Sequence, residues 1–240
     1  MVLINMQLIL ILLWIVLITS FSLVGAWYVR RYNKPDGLIG LYIAFVILSN
    51  IVAIKIVEYN FGFVTFFATA ASIIFPVTFL LTDIVNEKFG RAETQKMIFI
   101  AFISQVAVAL FIFISISLPS APFWKDQNVF MQVLGFAPRV MLASWIAFLV
   151  SENVDAYIFA WFKKLTQGRH LWSRNIFSSI PSMALDTVIF VTIAFYGIQP
   201  LAPLILGVLV IKWIVGIIDV PFMYLSRWIM SKGNKNDKKS

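Results

Sequence analysis

The 240-residue chain has no cysteine and a single histidine, His170. Without cysteine there is no disulfide, no thiolate nucleophile and no cysteine-ligated metal. One histidine, placed in a basic loop, builds neither an HExxH zinc site nor a cysteine and histidine pair, and no GxSxG elbow or GxxxxGK phosphate loop occurs. The chain therefore reads as no enzyme, and it calls for no cofactor or metal. Charge is scarce as well: Asp, Glu, Lys and Arg make up 12% of the residues, against about 25% in an average globular domain. The net charge of +8 sits in short loops rather than on a folded basic face. It fits the orientation of a membrane protein better than nucleic-acid binding.

What is present is hydrocarbon. With 61% apolar residues arranged in runs of roughly 20, the length needed to cross a bilayer, the expected class is all-α, a polytopic membrane helical bundle. Seven spans are expected: 4–29, 37–57, 61–82, 94–118, 140–162, 175–196 and 201–230. The first run is too long and too uncharged at its start for a cleaved signal peptide. Pro76 falls inside the third run and is read there as a proline kink; a discontinuous helix beside a cavity is the alternative. Residues 119–136, with Trp124, Lys125 and Asp126, are expected at the membrane interface. No repeat of 20 to 50 residues is evident. The expected division is residues 1–35 as a first helix and basic loop, 36–231 as the main body, and 232–240 as a polar tail.

Short cytoplasmic loops collect Lys and Arg. Arg30, Arg31 and Lys34, then Lys88, Arg91 and Lys96, then Lys163, Lys164, Arg169 and Arg174, then Arg227, Lys232, Lys235, Lys238 and Lys239 fall on one side of a seven-span chain. Only Lys125 and Arg139 fall on the other. The pattern predicts an outside N-terminus, a cytoplasmic C-terminus and a place in the cell membrane.

Charges inside the spans are expensive, about 2.5 to 3.5 kcal/mol each at a helix centre, and normally face a protein interior or watery cavity. Glu152 and Asp155 lie three apart inside the run 145–164, with Ser144 and Ser151 on the same face. Ser179, Ser182 and Asp186 form a second stripe, and Lys212 and Asp219, seven apart, a third. Four acids against one cation at that depth, Lys212, leave an excess of negative charge. Such a site suits a donor-rich or cationic solute, although each stripe alone is equally well explained by structural pairing of Lys212 with Asp186 or Asp219. A central polar site formed by three consecutive helices is the stronger reading.

In order along the chain, Ser49-Asn50, Pro76 with Thr82-Asp83, Glu152 with Asp155, Asp186-Thr187, and Lys212 with Pro221 resemble the motifs of the queuosine-precursor transporters, also called the vitamin-uptake-like family. The resemblance covers about residues 37–230. Glu152 departs from it, standing where many relatives carry Gln. It implies a six-helix core similar to the substrate-capture subunits of energy-coupling-factor vitamin transporters, with the helix at 4–29 as an extra span. It also implies import of 7-deazaguanine bases, the precursors of a tRNA modification, by alternating access around a central acidic site. The substrate-binding residues it marks are Asn50, Asp83, Glu152, Asp155, Asp186, Thr187 and Lys212, and the stripe shared with Lys212 adds Asp219.

Guanine-type chemistry fits such a site. The ring N1–H and the 2-amino group lie side by side, and one carboxylate accepts both. The faces of a flat heterocycle want aromatic walls, for which Phe66, Phe67, Tyr157 and Trp161 are candidates. The partners expected are this solute and the bilayer. Two other readings stay open on sequence alone: a substrate-binding subunit driven by separate energising proteins, and a membrane receptor or assembly protein whose stripes serve only as packing.

Overall fold

The computed structural model describes residues 2–60, 64–165 and 171–214. Its elements in chain order are α1 (Val2–Tyr32), α2 (Asp36–Val52), β1 (Ile56–Asn60), β2 (Thr65–Thr69), a 3-10 turn (Ala70–Ile73), α3 (Phe75–Phe89), α4 (Arg91–Ser117), α5 (Gln127–Leu134), α6 (Ala137–Leu165) and α7 (Leu171–Phe195). A further helix, α8, covers Leu201–Ile214. Three apolar helical segments are long enough to span a membrane, Leu12–Tyr32, Arg91–Ser117 and Gln127–Ser151. Large apolar side chains stand exposed along α1 and α4, among them Leu12, Val16, Phe99, Leu110, Phe111 and Phe113. In water such patches would drive aggregation; in hydrocarbon they are the contact surface. The chain is a helical membrane protein.

Two differences from the expected spans concern residues 56–82. They do not form one helix crossing with a proline in its middle. Ile56–Asn60 and Thr65–Thr69 pair antiparallel, with Ile56 opposite Thr69 and Asn60 opposite Thr65; β-branched and aromatic residues fill both strands, as a pleated surface favours. The all-α expectation is corrected to that extent. Pro76 stands in the first turn of α3, where its missing N–H removes no helical bond and its fixed φ suits the start. It begins a helix rather than kinking one.

The hairpin lies directly against α8. A Cβ placed on Gly207 would overlap the backbone of Phe67, so only a residue without a side chain admits so close an approach. Between α3 and α4 the chain reverses at Gly90, whose φ of 84° lies in the region only glycine enters freely.

Two apolar clusters hold the bundle. Val29, Leu38, Tyr42, Val46, Leu81, Val85, Met97 and Ala101 join α1 to α4. Ala53, Ala68, Val140, Ala143, Val191, Ala194, Phe195, Leu204 and Val208 join the end of α2 and the hairpin to α6, α7 and α8. Helices α6 and α7 form the most extensive pair. Small residues such as Ala143, Ala147 and Ala194, all buried, let helices in hydrocarbon pack closely. Arg139 ties the same pair at one end: its Nε donates to the Ile193 carbonyl at 2.9 Å and its Nη2 to the Tyr196 carbonyl at 2.8 Å. A guanidinium there satisfies the last carbonyls of α7 and suits the negative end of the helix dipole. Before α6, α5 buries no residue and exposes Val129, Met131 and Val133, with Phe123 and Trp124 just ahead of it, the composition of an interfacial segment.

Candidate functional site

Helices α7 and α8 follow one another through a short turn, so residues at similar distances from that turn meet at the same depth. Asp186 and Lys212 are such a pair. Lys212 Nζ lies 2.6 Å from Asp186 Oδ2, with 16% and 24% of the two side chains still exposed. An ion pair this short offsets much of the penalty for placing either charge among apolar helices, and the Asp186 side chain stays partly exposed. The structural pairing of Lys212 anticipated above is therefore made with Asp186.

A second polar node lies between α2, α4 and α6. Gln105 Oε1 accepts from Asn50 Nδ2 at 2.6 Å and from the Trp145 indole Nε1 at 3.1 Å. Asn50 and Gln105 are 2% and 5% exposed. Phe102 meets the Trp145 ring edge-on at 4.9 Å. Sequence reasoning marked Asn50 but gave Gln105 and Trp145 no role. The signal was there in Gln105, an amide midway along a 27-residue apolar helix, which invites the same question as a carboxylate so placed.

The remaining expected residues divide as follows. Glu152 and Asp155 lie on α6, the partner helix of α7. Asp83 lies on α3. Thr187 is brought to neither node: it is fully buried and its hydroxyl bonds back to the Met183 carbonyl at 2.8 Å, a bond internal to the helix. Asp219 lies outside the described residues. Of the aromatic candidates, Tyr157, Trp161 and Phe67 are exposed.

A cleft of about 370 Å³ lies elsewhere, between the start of α2 and the α3–α4 corner, lined by Asn33, Lys34, Pro35, Asp36, Ile39, Phe89, Glu93 and Lys96. Its charges are partly spent on local contacts, Tyr28 Oη donating to Asp36 at 3.0 Å and Lys96 facing Glu93 at 3.4 Å. It contains none of the acids singled out above. Among the described residues no group of His, Cys, Asp and Glu could hold a metal ion.

Apolar helices of membrane length, with an ion pair and an amide node set between them, define a multi-pass integral membrane protein whose polar chemistry faces inward. The profile of the family described as "Putative vitamin uptake transporter" matches residues 69–226, more than half of the chain, and the chain belongs to that family. It is similar to a protein of Bacillus subtilis (strain 168) named "Probable queuosine precursor transporter", 28% identical over 227 residues that cover 92% of this chain and 96% of that relative. It is also similar to a Haemophilus influenzae protein of the same name, 28% identical over 132 residues, 55% of this chain and 54% of that relative. No solved structure matches the chain.

Proposed function

We propose that this protein imports 7-deazaguanine bases, the queuosine precursors for which its relatives are named, by alternating access around the polar region of α6, α7 and α8. The observation that carries this reading is the Asp186–Lys212 pair, 2.6 Å apart yet not sealed off. The lysine orients the carboxylate, which then accepts the N1–H and 2-amino donors of the base together, Oδ1 entirely and Oδ2 through its second lone pair. Glu152 and Asp155 on the adjoining helix extend the acidic field. Asn50 and Lys212 keep their place as substrate-binding residues, as do Asp83 and Asp219, assigned by family resemblance and by sequence position respectively; Thr187 serves its helix.

Residues 36–231 form the transport core in this reading, with 1–35 as an added helix and the C-terminus in the cytoplasm. Purified protein in liposomes tests it. Loaded with nothing else, the vesicles should accumulate labelled 7-deazaguanine above protein-free controls. Uptake only in cells that supply energising subunits would instead make the chain a substrate-binding subunit, and no binding in either setting would remove the transport reading.

A further inference from the structure

The amide node described above has a fixed polarity. The indole Nε1 of Trp145 can only donate, so the Gln105 atom 3.1 Å from it is the carbonyl oxygen. The same Oε1 lies 2.6 Å from the Asn50 side chain, so the Asn50 atom facing it is the amide nitrogen. These two bonds fill both lone pairs of Oε1. They leave Asn50 Oδ1, an acceptor, and Gln105 Nε2, a donor, with no partner among the described hydrogen bonds. One residue before Asn50, Ser49 is 1% exposed and its Oγ is a buried side-chain atom without a hydrogen bond. Unspent donors and acceptors gathered on adjoining helices inside a membrane are what a polar ligand would pair off.

We infer that Asn50 and Gln105 are a second recognition point, holding the edge of the base where a ring N–H adjoins an acceptor; this rests on the reading of the cargo as a 7-deazaguanine. The base has two such edges, N1–H with the 6-oxo group and N9–H with N3. Because N1–H and the 2-amino group are turned to the Asp186 carboxylate, the edge left is N9–H with N3. Asn50 Oδ1 accepts N9–H, and Gln105 Nε2 donates to N3. In a nucleoside the sugar replaces that N–H, leaving Asn50 Oδ1 facing carbon, so these two side chains select the free base over its nucleoside. An acceptor deprived of its donor in a desolvated site discriminates strongly.

The test measures binding of 7-deazaguanine and of its 9-methyl derivative to the purified full chain. The wild-type protein should bind the base about 10- to 100-fold more tightly than the 9-methyl derivative. Asn50→Leu, close to isosteric, removes the acceptor for N9–H and should weaken the base and bring that ratio down severalfold toward one, while its affinity for the 9-methyl derivative changes little. Equal wild-type affinity for base and 9-methyl derivative overturns the assignment while the transport reading stands, and needs no variant to be folded. Failure of the wild type to bind the base at all removes the transport reading, and this inference with it.

Discussion

Lys212 Nζ approaches Asp186 Oδ2 to 2.6 Å across the α7–α8 pair, and each charge offsets part of the other's cost among apolar helices. Removing one partner should therefore harm the fold more than removing both. Lys212→Met removes the ammonium facing the carboxylate, and Asp186→Asn removes the carboxylate 2.6 Å from the ammonium, each at a loss of about 2 kcal/mol or more. The double variant should recover at least half of the summed loss, because neutral side chains of similar volume need no counter-charge. Thermal unfolding midpoints of the four proteins in one detergent check this; additive losses would mean the two groups do not stabilise one another.

Binding should separate the acids by role. Asp186→Asn replaces one acceptor oxygen by a donor, so one substrate N–H would face another N–H. A loss of about 2 to 3 kcal/mol, or 30- to 150-fold in affinity for 7-deazaguanine, is expected. Glu152→Gln keeps an acceptor and should be milder, within about fivefold. Titration of both variants, after confirming that each stays folded, reads the difference. A Glu152→Gln protein more damaged than Asp186→Asn would reverse the assignment, and total loss in both would point to a coupled proton site.

The sequence makes the long helices legible because length and apolar content are the same signal in a bilayer: α1, α4, α6 and α7 all stand where unbroken apolar runs predict them. The depth match of Asp186 and Lys212 is legible too, since a short turn separates their helices. The hairpin is not. In Ile56–Asn60 and Thr65–Thr69 the alternation set by Glu58, Asn60, Thr65 and Thr69 runs for only five residues each between longer apolar runs, and it is averaged away over a span-length window. Pro76 misleads for a related reason, because a proline at the first turn and one in mid-helix look alike until the helix start is known. The Gln105 and Trp145 contact joins helices 40 positions apart in sequence, and no local pattern announces it.

Gly207 gives a test of the hairpin's seat. Its Cβ would enter the space held by the Phe67 backbone, and a main chain cannot step aside as a flexible side chain can. Gly207→Ala should lower the thermal midpoint by several degrees despite alanine's better helix propensity. Gly40→Ala, where a Cβ meets nothing within 4 Å, should leave it level or slightly raised. Equal behaviour of the two would show that β2 does not rest on α8.

Orientation can be read from two lysines. Lys125 lies in the exposed segment before α5, between α4 and α6, on the side where only Arg139 accompanies it; Lys164 lies near the end of α6 in the basic cluster with Lys163, Arg169 and Arg174. The membrane-length segment Gln127–Ser151 separates the two regions, so a crossing there puts them on opposite sides of the bilayer. Retention of positive loops in the cytoplasm sets which is which. The protein has no cysteine of its own, so a single introduced thiol reports without background. With an impermeant maleimide added to intact cells, Lys125→Cys should label and Lys164→Cys should label only after the membrane is opened. The opposite pattern would invert the protein in the membrane and place the Arg139 end, with the carbonyls it holds on α7, toward the cytoplasm.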